Sequence, residues 1–189
     1  MITQAVVLCG GLGTRLGALT AVTPKPLLPV GDGPFLEALL CELCRHRVRR
    51  VLLLAGFGGE QIIRYAETTP LSERFGIDIE VIVEREPAGT GGALLQARDR
   101  LDPAFFMLNG DTWFDINLTE LGARLTDRPQ AAGVLALRHL ADAGRYGTVT
   151  LAEDLITRFA ARPDGVGPGL VSGGVYALRC EITEAIGPK

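Results

Sequence analysis

Apolar and polar positions along this chain follow two alternating periods. Ala5-Val6-Val7-Leu8-Cys9, Val51-Leu52-Leu53-Leu54-Ala55 and Ala104-Phe105-Phe106-Met107-Leu108 are short continuous apolar runs. Runs of that length and texture predict strands buried on both faces. Ile77–Val83 alternates and predicts a further strand. Between these runs the period changes. Leu36, Leu39, Leu40, Leu43 and Cys44 recur at helical spacing, in a helix that opens at Pro34-Phe35-Leu36 and ends at Arg45-His46-Arg47. Gly58-Gly59 opens a second helix carrying Ile62, Ile63 and Ala66; a third is expected over Ala93–Leu101 and a fourth around Thr119–Leu125. A strand follows over Ala131–Leu137. Strands alternating with helices predict an α/β protein with a largely parallel sheet covered by helices. Beyond this the texture becomes β-rich, with Tyr146–Leu151, Ile156–Phe159 and Gly169–Tyr176 separated by turns. The expectation is a single domain, 1–189, with halves at 1–117 and 118–189.

The first strand runs straight into Gly10-Gly11-Leu12-Gly13-Thr14-Arg15-Leu16. Three glycines in four positions let the backbone approach a ligand and adopt positive φ without a Cβ penalty. Successive N–H groups in such a loop make a concave anion site. Arg15 adds a planar cationic fork suited to phosphate oxygens. Ten residues on, Thr23-Pro24-Lys25-Pro26 presents a lysine from a segment stiffened on both sides by proline. Together these features point to a polyphosphate site. A P-loop is excluded, because no G-x-x-x-x-G-K-[ST] run exists. The dinucleotide fingerprint fails at its third glycine, which is Leu16, and lacks an acidic residue after the second strand, which ends Leu54-Ala55-Gly56-Phe57.

A second cluster follows the last of the long apolar strands, at Asn109-Gly110-Asp111-Thr112. A carboxylate just past the end of a buried parallel strand lies on the ligand edge of the sheet, the edge that also carries the glycine loop. Asp111 is therefore the candidate for holding Mg²⁺ against phosphates. Asp115 competes with it but is expected further out. Glu84-Arg85-Glu86-Pro87-Ala88-Gly89-Thr90-Gly91-Gly92 is a glycine-rich turn on the same edge.

The spaced pattern G-G-x-G-T-R-L, P-K-P-L-L-P-V and N-G-D resembles the signature of the sugar-1-phosphate nucleotidylyltransferases, and the likeness runs along nearly the whole chain. It implies a Rossmann-like three-layer α/β/α nucleotidyltransferase fold, with a nucleotide-binding half and a β-rich sugar-phosphate half. It implies transfer of a nucleoside monophosphate from a triphosphate to a sugar 1-phosphate, with pyrophosphate leaving and Mg²⁺ as cofactor. Asn109–Ile116 and Leu170–Tyr176 are similar to the guanylyltransferase members, which implies GTP. Under this resemblance Arg15, Lys25 and Asp111 are catalytic. Leu8, Gly10, Gly11, Gly13, Thr14, Arg15, Glu86, Pro87, Gly89, Thr90 and Gly91 bind the nucleotide. Asn109, Gly147, Arg162, Ser172 and Gly173 bind the sugar phosphate. Two positions depart from the family pattern: Ala161-Arg162-Pro163 stands where many members have E-K-P, and Ser172 where many have Asn. Arg162 keeps a phosphate-binding charge. Family members usually carry a second aspartate in a later segment, so the resemblance also implies that these residues belong to a somewhat longer enzyme. The rival readings are a nucleotide-binding regulatory module without turnover and a dinucleotide-dependent oxidoreductase.

Bulk properties narrow the partners. A net charge of −3 and no basic run interleaved with aromatics argue against nucleic acid. The basic stretch Arg45–Arg50 suits a helix C-terminus, where cations complement the dipole. No apolar run is long enough to cross a membrane, and the N-terminus lacks a secretory pattern, which predicts a cytoplasmic protein. A homo-oligomer stays open. Of the four cysteines, Cys9 and Cys180 read as small core residues. Cys41-x-x-Cys44 lacks further ligands at zinc spacing. His46 and His139 are isolated from other candidate groups.

Overall fold

The structure, a computed structural model of the chain, describes residues 1–11, 13–84, 89–161 and 167–187, with the side chains of 14–16 left aside. The first apolar run becomes β1 (Gln4–Leu8). Lys25–Leu27 forms a 3₁₀ turn, and a small hairpin of β2 (Pro29–Val30) and β3 (Gly33–Pro34) leads into α1 (Phe35–Arg45). Neither the turn nor the hairpin is legible from periodicity, because both are too short to show one. Next come β4 (Arg50–Ala55), α2 (Gly59–Thr68), the short α3 (Leu71–Phe75) and β5 (Asp78–Val83). The helix expected over Ala93–Leu101 is displaced. It is α4 (Gly89–Gln96), followed by a separate 3₁₀ turn at Arg98–Arg100. Gly89, Thr90 and Gly91 thus form a first helical turn in place of the expected loop.

The apolar run at Phe105 becomes β6 (Ala104–Asn109). Asn117 caps α5 (Leu118–Thr126), its side-chain oxygen accepting from the Glu120 N–H at 3.2 Å. β7 (Gly133–Leu140), β8 (Thr148–Ala152), β9 (Leu155–Ala160) and β10 (Gly169–Arg179) complete the β-rich half. A 3₁₀ segment, Cys180–Ala185, follows β10.

Eight strands form one sheet in the order β5-β4-β1-β6-β10-β8-β9, with β7 paired to β10. β5, β4, β1 and β6 are mutually parallel; β10 enters antiparallel to β6. Alternate residues of the central strands feed two cores. Ala5, Val7, Val51, Leu53, Phe106 and Leu108 pack against α1, α2, α3 and α5. Val6, Leu52, Leu54, Phe105 and Met107 pack against α4 on the opposite face. Burial on both faces explains why these strands read as continuous apolar runs. No helix among the described residues is long and apolar enough to cross a membrane.

Candidate functional site

Three parallel strands deliver their C-terminal ends to one place, and glycine lets those ends touch. Gly110 follows β6 and donates its N–H to the Leu8 carbonyl at 2.9 Å; a Cβ there would sit 2.6 Å from the same oxygen. Gly56 follows β4, and a Cβ on it would come within 3.0 Å of the Gly10 carbonyl oxygen. No larger residue fits at Gly110 without moving backbone. The result is a rigid rim on which the loop after β1 and the turn after β6 stand side by side, at the sheet edge where α/β proteins bind ligands.

A cleft of about 250 Å³ opens over this rim, lined by Leu8, Cys9, Gly11, Gly13, Lys25, Pro26, Thr90, Asn109 and Asp111. Gly13 lies in the left-handed region, at φ 60°. Its carbonyl accepts from the buried Thr20 hydroxyl at 2.9 Å, which closes the glycine loop on itself. Pro24 and Pro26 are both buried, so Lys25 is held by its neighbours while its ammonium reaches outward.

The Lys25 Nζ donates to Asp111 Oδ2 at 2.7 Å across 86 residues of chain. The Thr112 hydroxyl donates to the other carboxylate oxygen at 3.0 Å. Burial by itself would raise the Asp111 carboxyl. The hydrogen bond and charge of Lys25, helped by Thr112, outweigh it and hold the group below its ordinary value. Asp111 is therefore ionised at neutral pH and available to a cation. Beneath it, the Cys9 thiol is pushed up to about 12 by burial and then by the Asp111 charge. A thiol so protonated offers no nucleophile.

Of the residues expected from sequence, Leu8, Gly11, Gly13, Lys25, Thr90, Asn109 and Asp111 line one cleft. Gly10 lies just behind, with Gly56 and Glu84 against its Cα. Gly91 is packed against Ile186, which would meet its Cβ at 3.1 Å. Thr14 and Arg15 begin the 3₁₀ segment Thr14–Thr20, and their side chains lie outside the described residues, as do Glu86, Pro87 and Arg162.

Ser172, Gly173 and Gly147 do not line the cleft. The Ser172 hydroxyl donates to the Tyr176 hydroxyl at 2.8 Å and accepts the Gly174 N–H at 3.2 Å, inside a bulge of β10. Gly173 makes room for the Phe114 ring, 2.6 Å from where its Cβ would be. Gly174, at φ 74°, makes room for the Asn109 amide. Gly147 lies against the Ala160 carbonyl. Sequence reasoning passed over Cys9, Pro26 and Thr112. Cys9 and Pro26 read as strand core and loop stiffener; Thr112 carried no signal beyond its place after Asp111.

Among the described residues no three His, Cys, Asp or Glu side chains stand together as a metal cage. Asp111 brings one carboxylate to the cleft. That donor set fits Mg²⁺, which is commonly held by one or two carboxylates, substrate phosphates and waters.

Comparison with known proteins agrees with this geometry. The pattern of the family described as "Nucleotidyl transferase" matches residues 4–187. The D-glycero-alpha-D-manno-heptose 1-phosphate guanylyltransferase of Campylobacter jejuni is 38% identical over 95% of this chain and 77% of its own length. The mannose-1-phosphate guanyltransferase of Schizosaccharomyces pombe is 30% identical over 98% of this chain and 52% of its own. The crystal structure of HddC from Yersinia pseudotuberculosis complexed with GMP-PN superposes with a TM-score of 0.80 at 27% identity, covering 97% of this chain and 79% of that one.

Proposed function

The chain belongs to the nucleotidyl transferase family, and from that premise we propose that it transfers GMP from GTP to D-glycero-D-manno-heptose 1-phosphate, releasing pyrophosphate, in nucleotide-sugar biosynthesis. One observation carries the chemistry: Lys25 and Asp111 meet at 2.7 Å over the glycine rim, in a cleft whose buried thiol is protonated. The base and the sugar rest on the relatives, one of which is a heptose 1-phosphate guanylyltransferase and another a solved structure complexed with GMP-PN. The relative at 30% identity supports mannose 1-phosphate as the second reading.

The acceptor phosphate is already anionic, so no side chain need generate the nucleophile. The work left to the protein is positioning and neutralisation. Gly11 and Gly13 line the cleft, and the N–H groups of such a glycine loop suit phosphate oxygens. Lys25 leaves Asp111 to bridge the α-phosphate and the incoming phosphate, where its charge counts most as phosphorus becomes five-coordinate. Arg15 neutralises the departing pyrophosphate. Asp111, with substrate oxygens and water, would hold Mg²⁺, which supplies charge neutralisation at the phosphates. Glu86, Pro87 and the first turn of α4 take the guanine side, and Asn109, Gly147, Arg162, Ser172 and Gly173 the sugar-phosphate side. The site acts in the cytoplasm, on soluble GTP and sugar 1-phosphate.

The test is pyrophosphate release from purified protein with Mg²⁺, GTP, ATP, UTP or dTTP, and heptose, mannose or glucose 1-phosphate. Preferred release with GTP and the heptose is expected. Release with mannose 1-phosphate alone selects the second reading. GTP binding with no release from any pair makes the protein a regulatory module and overturns the proposal.

A further inference from the structure

Lys25 stands outside the strands, on the 3₁₀ turn Lys25–Leu27. Between the glycine loop and β2 the chain runs over the surface, with Leu19 and Val22 largely exposed. A long flexible side chain on such a segment would wander by several ångströms unless its backbone were fixed. Besides the packing of its own turn against α1, two contacts fix it, both from the start of α2.

The Gln61 side-chain amide donates to the Val22 carbonyl at 2.6 Å, across 39 residues. One turn earlier, Gly58 caps α2 in the left-handed region at φ 69°, and the Pro24 ring lies where its Cβ would be, with Pro24 Cγ and Cδ at 2.8 and 2.9 Å. The helix is itself anchored on the sheet. Ile62 is fully buried, and Gly59 lies against Val83 of β5, 2.9 Å from an added Cβ. The N-terminus of α2 therefore clamps residues 22–24 from behind while Lys25 points forward to Asp111.

We infer that Gln61 is a positioning residue for the transfer reaction, its amide holding Val22 so that Lys25 meets the transferred phosphate in register. The inference rests on the role given above to Lys25. Gln61 itself touches no substrate; it acts through the lysine. A misplacement of about an ångström can cost on the order of a hundredfold in rate. Loss of one of two clamps is expected to cost about tenfold in kcat.

The experiment is a double-mutant cycle on the full chain, reading kcat and the triphosphate KM separately. Gln61→Leu is expected to lower kcat about tenfold and leave KM within about twofold. Gln61→Lys, which restores a donor of similar reach, recovers part of that loss. In a Lys25→Ala background Gln61→Leu should have no further effect, because the group it positions is gone. Gln61→Glu keeps the length but removes the donor, and replaces Gln61→Leu in the cycle should that variant fail to fold. Wild-type kcat in Gln61→Leu, or the same fold-loss in both backgrounds, overturns the inference. Unchanged kcat in Lys25→Ala alone overturns instead the role of Lys25.

Discussion

The two halves of the sheet use glycine for opposite ends. In the parallel half, Gly56 and Gly110 let backbone meet backbone, so the ends of β1, β4 and β6 fuse into one rim. In the antiparallel half, Gly173 and Gly174 make room for side chains, the Phe114 ring and the Asn109 amide, at a bulge of β10. The first arrangement follows from strand direction: parallel strands all end on the same side, and whatever follows them must share that edge. The second depends on which side chains arrive from elsewhere in the chain. A motif of the first kind can therefore be read locally, and one of the second kind cannot.

The largest effect that tests this contrast is chemical. Asp111→Asn keeps the shape of the rim and removes its charge; kcat with saturating Mg²⁺ is expected to fall about 10²–10⁴-fold while the protein stays folded. Near-normal turnover in steady-state kinetics would show that Asp111 does not hold the metal. Ser172→Ala, by comparison, removes a hydroxyl already engaged with Tyr176 and Gly174. It should cost no more than about 1.5 kcal/mol in denaturant unfolding, and its proposed place on the sugar-phosphate side predicts a raised sugar 1-phosphate KM; an unchanged KM would remove Ser172 from that side.

Backbone fusion and side-chain accommodation also differ in what a methyl group does to them. Gly110→Ala drives a Cβ onto a carbonyl oxygen held within β1, with no flexible atom to yield. It is expected to destabilise by about 3 kcal/mol or more. Gly173→Ala meets a ring that can tilt, and about 1–2 kcal/mol is expected from the same urea titration. Equal losses at the two positions would erase the distinction.

A smaller effect is expected in acid. The depressed Asp111 carboxyl contributes stability that is fully present above the unfolded value of about 4. That contribution fades as pH falls from there through the lower folded value. Lys25→Ala leaves burial as the dominant influence, which raises the carboxyl. The stability gap between wild type and Lys25→Ala should thus be widest near neutrality and close below about pH 4. A gap that does not change with pH in thermal melts would mean that the pair is not formed in solution. Smallest is the response to a thiol reagent at pH 8. The partly exposed Cys41 and Cys180 should label first, and Cys9, raised to about 12 and fully buried, only on unfolding. Rapid labelling of Cys9 in the native protein would place the cleft floor open to solvent.

The same contrast explains what was legible beforehand. The three long apolar strands and α1 were visible because each buries a periodic face in one of two cores. Leu8, Gly11, Asn109 and Asp111 could be read as site residues because each lies at or just past a strand end, and Lys25 because two prolines flank it. The start of α4 was misplaced because Gly89, Gly91 and Gly92 read as a turn by intrinsic propensity, yet Ile186 packs on that turn and the structure makes it helical. At Gly173 the neighbour that sequence could not supply is Phe114, because its ring arrives from a distant segment. The clamp from Gln61 to Val22 left no trace in either period, since a single amide-to-carbonyl bond between distant segments changes no pattern.

The position of β10 carries a consequence for the birth of the protein on the ribosome. β1, β4 and β5 all lie within the first 83 residues and can pair while the rest is being made, but β6 borders β1 on one side and β10, some 60 residues later, on the other. Until that last strand emerges, β6 presents the apolar row Phe105–Leu108 on an open edge, an invitation to pair with another nascent chain. Slowing translation after β6 has left the exit tunnel and before β10 has should therefore raise the share of aggregated product, measured as insoluble chain in a cell-free synthesis. The same pause placed after β10 has itself left the exit tunnel should not.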